Sequence, residues 1–599
     1  MGSLPETLLN GNQPSSSPHN PSSRYSAKYF PKQEPWNPQR PVKIIIVGGG
    51  IAGLAAGVLL PKKVPNSTVT IYERQRRVGG TWSQNVYPGV RCDVPSHAYQ
   101  LTVDPKTDWT EYYPKGSEIQ QYYEDVVDRN NLRDSLRVNH EVLSATWLKH
   151  ANQWALEIKD LKTGNVFIDT ADFFVSAQGR IADPKYPKIK GLLDTFGGRV
   201  VHTAAWPPDL DISGKRVAVI GNGASGQQIV PNIFSLVSHL DHYVRTKTWV
   251  TASFSANLHQ ATADAPGGPV YTDEQKEIFR TDSKAHLEHR REFFLALQRP
   301  PGSEVLGSKA NAELRGRIIE TMRSRVGGDE EWLQRLLPDY APGCKRLTPA
   351  PGYLETLQEE KAEFITEGIL EVDKTGIRTV DGTHREVDVI ITATGFERVY
   401  TSRFPIIGRD GVDLREKFSL NGKIGYPETY LGLMAPGCPN YFTVLQAQGN
   451  ARGGSVPLQC EIASTYIAKC IRKVQSQSNV WLEPRQDAAE EFNDVVNGWA
   501  QDKVFQDSCD AWSKIGYGAT RTLLTWPGTY HHRSAALRDP RWEDFHFKRR
   551  TGAEKNRFEY FGTGITWREV HGRSDELLTS YLKEVGKFDL ATVHELWND

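Results

Sequence analysis

Two glycine patterns, each followed by one charged residue, are where this sequence could do chemistry. Gly48, Gly50 and Gly53 in "VKIIIVGGGIAGLAAGVLL" make G-x-G-x-x-G, and Gly221, Gly223 and Gly226 in "GKRVAVIGNGASGQQIVPNIF" make it again. In such a motif the first glycine makes a tight turn and the second lets a pyrophosphate reach the backbone. The third lets a helix lie close to a strand, and the helix N-terminus offers free amides to the phosphates. Glu73 stands 25 residues past Gly48, and Arg245 stands 24 residues past Gly221. A carboxylate at that offset accepts hydrogen bonds from an unphosphorylated ribose, as in FAD or NAD. A guanidinium there suits a ribose 2′-phosphate, which a carboxylate would repel. The pair therefore predicts a flavoprotein that takes hydride from NADPH. Ala224 and Ser225 inside the second motif, and Thr246 beside Arg245, complete the residues expected around NADPH.

The elements that must position these residues follow from local pattern. Val42 to Val47 is an apolar run interrupted only by Lys43, the mark of a strand buried on both faces. "LAAGVLL" begins a small-residue helix, and "TVTIYE" is the second strand, ending in Glu73. Arg216 to Ile220 and "LDHYVRT" repeat the order around the second motif. "REVDVIITATGFE", with a buried strand over Val387 to Thr392, and "ADFFVSAQGRIADPKYPKIKGL", around Gly179, carry the chain between the two folds. The expected fold class is α/β, with two Rossmann-like dinucleotide-binding domains, one for FAD and one for NADP, and a helical insertion. The expected division is a disordered tail over 1–40, an FAD domain over 41–175 and 384–599, and an NADP domain over 176–254 and 341–383. The insertion spans 255–340, from the amphipathic patterns "DEQKEIFRTDSKAHLEHRREFFLALQ" and "NAELRGRIIETMRSR". His259, His286 and His289 in it read as solvated helix faces and not as metal ligands.

Composition sets the outer bounds. The 599 residues are 38% hydrophobic and 24% charged, as in a globular protein with large cores. Lys plus Arg equals Asp plus Glu at 72 each, which favours neither nucleic acid nor an anionic membrane as partner. No run of 18 apolar residues suggests a spanning helix. The N-terminal stretch lacks the basic start and apolar run of a secretory signal. The expectation is a cytoplasmic enzyme, monomeric or weakly oligomeric. Six cysteines without a Cys-x-x-Cys pair suggest a reducing compartment and no structural disulfides. Their spacing also excludes the disulfide reductases, which need a redox pair beside the flavin. Oxygen then becomes the main candidate to receive the electrons.

The stretch "FGGRVVHTAAWP" reads locally as an aperiodic loop packed at a domain interface. Its Phe196, Gly198, His202, Trp206 and Pro207 form F-x-G-x-x-x-H-x-x-x-W-P. Upstream, "GGTWSQNVYPGVRCDV" places Gly79, Gly80, Trp82, Tyr87, Pro88, Gly89 and Asp93. Together they resemble the fingerprints of Baeyer–Villiger monooxygenases, and the resemblance runs from about Pro41 onward with a fungal look. It implies that one atom of O2 is inserted beside a ketone carbonyl to give an ester or lactone, on a small-molecule ketone such as a polyketide or terpenoid intermediate. It also implies that Gly80, Thr81, Trp82, Asp93 and Tyr99 bind cofactor. Gly343, Cys344, Lys345 and Arg346 resemble the family's G-[CT]-K-R element, which gives Lys345 to the NADP 2′-phosphate and Arg346 to the flavin. A flavin-bound peroxide that attacks a ketone must stay an anion, and arginine is a cation that cannot lose its proton. Asp93 would orient that arginine. The alternative reading is a flavin-dependent N- or S-oxygenase of the same superfamily.

Overall fold

Alternation along one strand explains why the first glycine motif sits in a three-layer core. The structure is a computed structural model describing residues 33–254, 268–298, 301–397, 402–419, 421–422, 424–511, 513–514, 521–550, 556–572, 579 and 582. In Val42–Val47, Ile44 and Ile46 face the helices Ile51–Lys63, Gly116–Arg129 and Val456–Ser476. Ile45 and Val47 face an antiparallel sheet through Trp147, Trp154 and Leu156. Both faces are therefore apolar, as a central parallel strand requires. The sheet is fully parallel, in the order Tyr441–Thr443, Phe173–Ser176, Val42–Val47, Ser67–Glu73, Leu136–Val138.

The second sheet repeats the plan: Ala362–Ile365, His239–Tyr243, Arg216–Ile220, Val389–Thr392, Arg199–His202, all parallel. Val217 and Val219 face the helix Ala224–Ile233, while Ala218 and Ile220 face the three-stranded sheet that contains Ile377. Gly48 and Gly221 share a φ of +112°. A Cβ on Gly48 would overlap Ala177 O, and one on Gly221 would lie 2.6 Å from Ala393 O. Ala177-Gln178-Gly179 and Ala393-Thr394-Gly395 are thus counterparts, each closing the end of a strand beside a glycine motif.

Several sequence expectations need correction. Val389–Thr392 pairs with Arg216–Ile220, so this strand belongs to the second sheet and not to the first fold beginning at 384. Arg199–His202 is the second sheet's edge strand, not loop. Four residues are too short to show a period, and Gly198 before it is required because any Cβ would overlap Asp388 O. Residues 33–40 of the expected tail are held in place. Trp36 N donates to Ile565 O at 2.6 Å, and Arg40 donates to Gln475 O at 2.9 Å; residues 1–32 lie outside the described ones.

Cys344 and Cys509 form a disulfide across 165 residues, where none was expected. Spacing along the chain cannot reveal two cysteines that meet only in the fold. The insertion is helical, as Asp273–Thr281, Ser283–Ala296, Lys309–Arg325 and Glu330–Leu336. The first two helices break at Asp282, whose carboxylate accepts from the Lys284 and Ala285 amides and starts the second. Among the described residues no helix is long and apolar enough to cross a membrane.

Candidate functional site

Each glycine motif leaves a helix start without a side-chain cap. Gly50 and Gly223 are the N-cap residues of Ile51–Lys63 and Ala224–Ile233, and neither helix has a capping side chain. The free amides suit a phosphate group. The space suits it too. A Cβ on Gly53 would overlap Gly48 O and one on Gly226 would overlap Gly221 O, so only glycine keeps helix and strand this close. At Gly223 nothing would lie within 4 Å of a Cβ, which leaves the approach open.

Glu73, at the end of its strand, is 6% exposed. Its Oε2 accepts from Gly49 N at 2.6 Å and its Oε1 from Gln75 N at 2.8 Å. Burial pushes its carboxyl above the ordinary range, against the pull of those amides. Glu73 lines a cleft of about 770 Å³ with Gly48, Tyr72, Arg74, Val142 and Gln178. A ribose with two free hydroxyls fits this carboxylate, and the adenosine end of FAD fits the cleft. Gly80, at φ +52°, approaches Gly50 and starts the short helix Thr81–Gln84; Thr81 itself is exposed. Trp82 Nε1 donates to Tyr99 OH at 3.3 Å, and the two rings meet edge to face at 5.7 Å. Burial holds the Tyr99 hydroxyl well above its usual range, so it stays protonated.

In the second fold, Arg245 is exposed just beyond His239–Tyr243, with Thr246 next to it. Tyr353 OH donates to Asn222 Oδ1 at 2.8 Å and His242 Nε2 lies 3.2 Å from Gly221 O, so the motif's turn is braced from below. Lys345 Nζ lies 5.5 Å from the Tyr340 ring centre. The strand-end guanidinium, the open glycine and the uncapped helix fit a 2′-phosphorylated dinucleotide.

Arg346 and Asp93 are 253 residues apart and meet between the folds. Arg346 Nε and Nη2 donate to the two Asp93 oxygens at 3.0 and 2.5 Å, a two-point pair. The Asp93 carboxylate raises the arginine above its ordinary value, against the opposing effect of burial. Yet the Arg346 side chain keeps 44% of its exposure, so the guanidinium is held and still reachable. Phe254 flanks it at 5.7 Å. A shallow cleft lined by Cys92, Asp93, Gln228, Ser253 and Ala350 opens beside the pair.

Sequence reasoning left several residues at this junction without a role. Tyr87 OH donates to Gln228 Oε1 at 2.8 Å and lies 3.3 Å from Ser225 Oγ; Gln228 Nε2 donates to Arg91 O at 3.0 Å. The first fold's fingerprint thus bonds directly to the helix of the second motif. Gly89, at φ +83°, lets the backbone pass Asn232, whose side chain a Cβ would overlap. The fingerprint spacing flags Tyr87 and Gly89, but nothing in the sequence flags Gln228. His202 is fully buried; its Nδ1 accepts from Ala204 N at 3.0 Å and caps the turn that leads to the half-buried Trp206. It packs 5.3 Å from the Tyr186 ring.

The insertion histidines are not solvated faces, which corrects the sequence reading; His259 lies outside the described residues. His286 Nε2 lies 3.0 Å from His97 Nδ1, and His289 Nε2 lies 2.8 Å from Tyr271 OH. The surface that covers them comes from His97 in the other domain and from Tyr271, Phe279 and Phe293 within the insertion itself, so it is assembled only when these segments pack together. Elsewhere, His239, Asp241 and Glu363 bring three potential ligand atoms within 4.8 Å of one another. Arg385 already grips Glu363 at two points, 3.0 and 2.5 Å.

Burial, with Arg290 nearby, moves His286 from 6.5 to about 4. Burial and His286 do the same to His289, and His97 is lowered too. The folded state therefore binds fewer protons than the unfolded state between about pH 4 and 6.5. Stability from this cluster is complete above about pH 6.5 and is lost as pH falls toward 4, at roughly 1–3 kcal/mol per histidine. The melting temperature should drop between pH 7 and pH 5, and His286→Phe should flatten that drop. An unchanged pH slope in the variant would show that the histidine does not control it.

Comparison with known proteins places this geometry. Residues 46–115 match the model of an NAD(P)-binding Rossmann-like domain. The chain is 34% identical over 548 residues to the FAD-binding monooxygenase moxY of Dothistroma septosporum, covering 90% of this chain and 85% of that one. It is 31% identical over 497 residues to a Baeyer–Villiger monooxygenase of Streptomyces coelicolor, covering 82% and 89%. Among solved structures, an oxidised steroid monooxygenase bound to NADP superposes with a TM-score of 0.71 at 27% identity, over 85% of this chain and all of that one. A closed cyclohexanone monooxygenase gives 0.71 at 26%, over 85% and 99%. With two nucleotide folds facing one arginine–aspartate pair, and with these relatives along most of its length, the chain belongs to the Baeyer–Villiger-type family of FAD-binding, NADP-using monooxygenases.

Proposed function

We propose that the protein performs a Baeyer–Villiger oxidation, placing one oxygen atom from O2 beside a ketone carbonyl and consuming NADPH. The observation that carries this reading is the two-point Asp93–Arg346 pair, with a reachable guanidinium, between the two nucleotide folds. Bound FAD supplies hydride acceptance and oxygen activation; the protein supplies charge, position and the exclusion of water. Arg346 keeps its proton at any working pH. Negative charge grows on the ketone oxygen as the carbonyl is attacked, and a preorganised cation stabilises it by about 3 kcal/mol or more. Asp93 sets the plane of the guanidinium. Gly80, Thr81, Trp82 and Tyr99 frame the flavin side. Gly221, Gly223, Ala224, Ser225, Gly226, Arg245, Thr246 and Lys345 hold NADPH. The FAD fold comprises residues 41–175 and the chain beyond about 395, the NADP fold 176–254 and 341–395. The substrate class proposed is a natural-product ketone, a polyketide or terpenoid.

The test is turnover of the FAD-loaded enzyme with NADPH, ¹⁸O2 and a panel of bulky ketones, amines and thioethers. An ester or lactone carrying one ¹⁸O is expected, with NADPH preferred over NADH by at least about tenfold, one charge-assisted contact's worth. Oxygen transfer to amines or thioethers alone would overturn the reaction. Equal use of both donors would overturn the role of Arg245 and Lys345.

A further inference from the structure

The loop that carries Lys345 and Arg346 has no regular secondary structure of its own. Residues 341–347 are neither helix nor strand, and Gly343 turns the chain at φ +94°. Such a loop keeps its side chains in place only through lateral attachments. Asp93 holds the far end of Arg346. The backbone end is held by the C-terminal half of the chain. Asp507 Oδ2 accepts from Ala341 N at 2.6 Å, and Val504 packs 3.3 Å from where a Cβ on Gly343 would stand. Lys514 Nζ donates to Asp507 O at 2.5 Å, bracing that segment. The Cys344–Cys509 bond then joins the two segments covalently, with Cα atoms 6.2 Å apart. Cys344 is one residue from Lys345 and two from Arg346. Cys92, Cys438, Cys460 and Cys470 are free and buried.

We propose that Cys509 is a positioning residue. Through its bond to Cys344 it fixes the loop so that Lys345 reaches the 2′-phosphate and Arg346 stays on Asp93. A dithiol reductant would undo this: its two thiols give two electrons and two protons to the two sulfurs, the Cys344–Cys509 bond breaks, and the reductant closes into its own disulfide. An oxidised disulfide such as glutathione disulfide reverses the exchange. Cys344 is 2% exposed and Cys509 fully buried, so exchange requires the chain around Cys509 to open and is slow in the folded protein. The inference rests on the roles proposed above for Lys345 and Arg346.

The experiment uses the full-length FAD-loaded enzyme as parent, Cys509→Ser and Cys344→Ser, each before and after dithiothreitol. Thiols are counted in denaturant without reductant; four are expected in the parent and six after reduction. The rate of flavin bleaching is then titrated with NADPH and, separately, with NADH. Breaking the bond should weaken NADPH by about fivefold, part of one charge-assisted contact, and leave NADH unchanged. The fraction of electrons reaching product should fall at least about twofold, with hydrogen peroxide making up the difference. Dithiothreitol should reproduce this in the parent, add nothing in either variant, and be reversed by glutathione disulfide. Six thiols in the untreated parent would overturn the proposal. So would equal losses for NADPH and NADH with a lowered melting temperature, which is the mark of a merely structural bond. If the parent oxidises no ketone, the proposed reaction fails, and the split between NADPH and NADH still decides this inference.

Discussion

With Arg346 replaced by alanine, NADPH oxidation is expected to continue while ester formation falls by at least about 100-fold. Hydride transfer needs the two nucleotides in place, and their glycine cradles, Glu73 and Arg245 do not touch Arg346. The oxygen step differs, because negative charge develops beside the guanidinium as the carbonyl is attacked. Removing the guanidinium leaves that charge, and the Asp93 carboxylate, without a cation. Hydrogen peroxide should then appear in place of ester. Arg346→Lys should recover only part of the loss, since an ammonium cannot make the two-point bond seen at 3.0 and 2.5 Å. Asp93→Ala should lower ester yield more mildly, because it leaves the guanidinium in place but free to wander. The measurement is NADPH, peroxide and ester followed in parallel. Ester made by Arg346→Ala within about tenfold of the parent, roughly 1.4 kcal/mol of barrier, would rule out this arginine as the catalytic cation.

The second large effect separates the two nucleotide folds. Gly53→Ala is expected to give colourless protein with less than about a tenth of the FAD, because its methyl would overlap Gly48 O and push the helix off its strand. Gly226→Ala makes the same collision with Gly221 O in the other fold. That variant should stay yellow and melt near the parent's temperature, yet its flavin should not bleach with NADPH at concentrations that saturate the parent. Dithionite should still bleach it, which shows the flavin itself is sound. If Gly226→Ala loses its colour, or Gly53→Ala keeps it, the assignment of FAD to the first motif and NADPH to the second is reversed or wrong. Each side of this pair controls for the other, since both substitutions add one methyl at equivalent places.

What was legible from the chain alone is what neighbours in sequence decide. Val42–Val47 and Arg216–Ile220 appear as strands at the expected residues. Their apolar runs, Ile44 to Val47 and Val217 to Ile220, need no partner to be recognised, because a strand buried on both faces is apolar at successive positions. The glycine motifs were legible for the same reason: the turn, the uncapped helix start and the close strand lie within a few residues. The places of Glu73 at its strand end and of Arg245 just past its own were readable, because a fixed offset separates a motif from the end of its second strand. The arginine–aspartate pair was readable only through family resemblance, since no local pattern relates residues 253 apart.

The tertiary structure decided the rest. It placed Val389–Thr392 in the second sheet, because a four-residue strand carries no label of its sheet until it pairs. It packed His286 and His289 against His97, Tyr271 and Phe279, and which of these distant residues meets a helix face the period of one helix does not say. It joined Cys344 to Cys509, and it set Tyr87 against Gln228 so that one nucleotide fold touches the other. The physical reason is common to all four. Sequence pattern reports what each segment can bury or bond along itself; which distant segment meets it depends on how whole sheets and helices pack, and that information is spread over the entire chain.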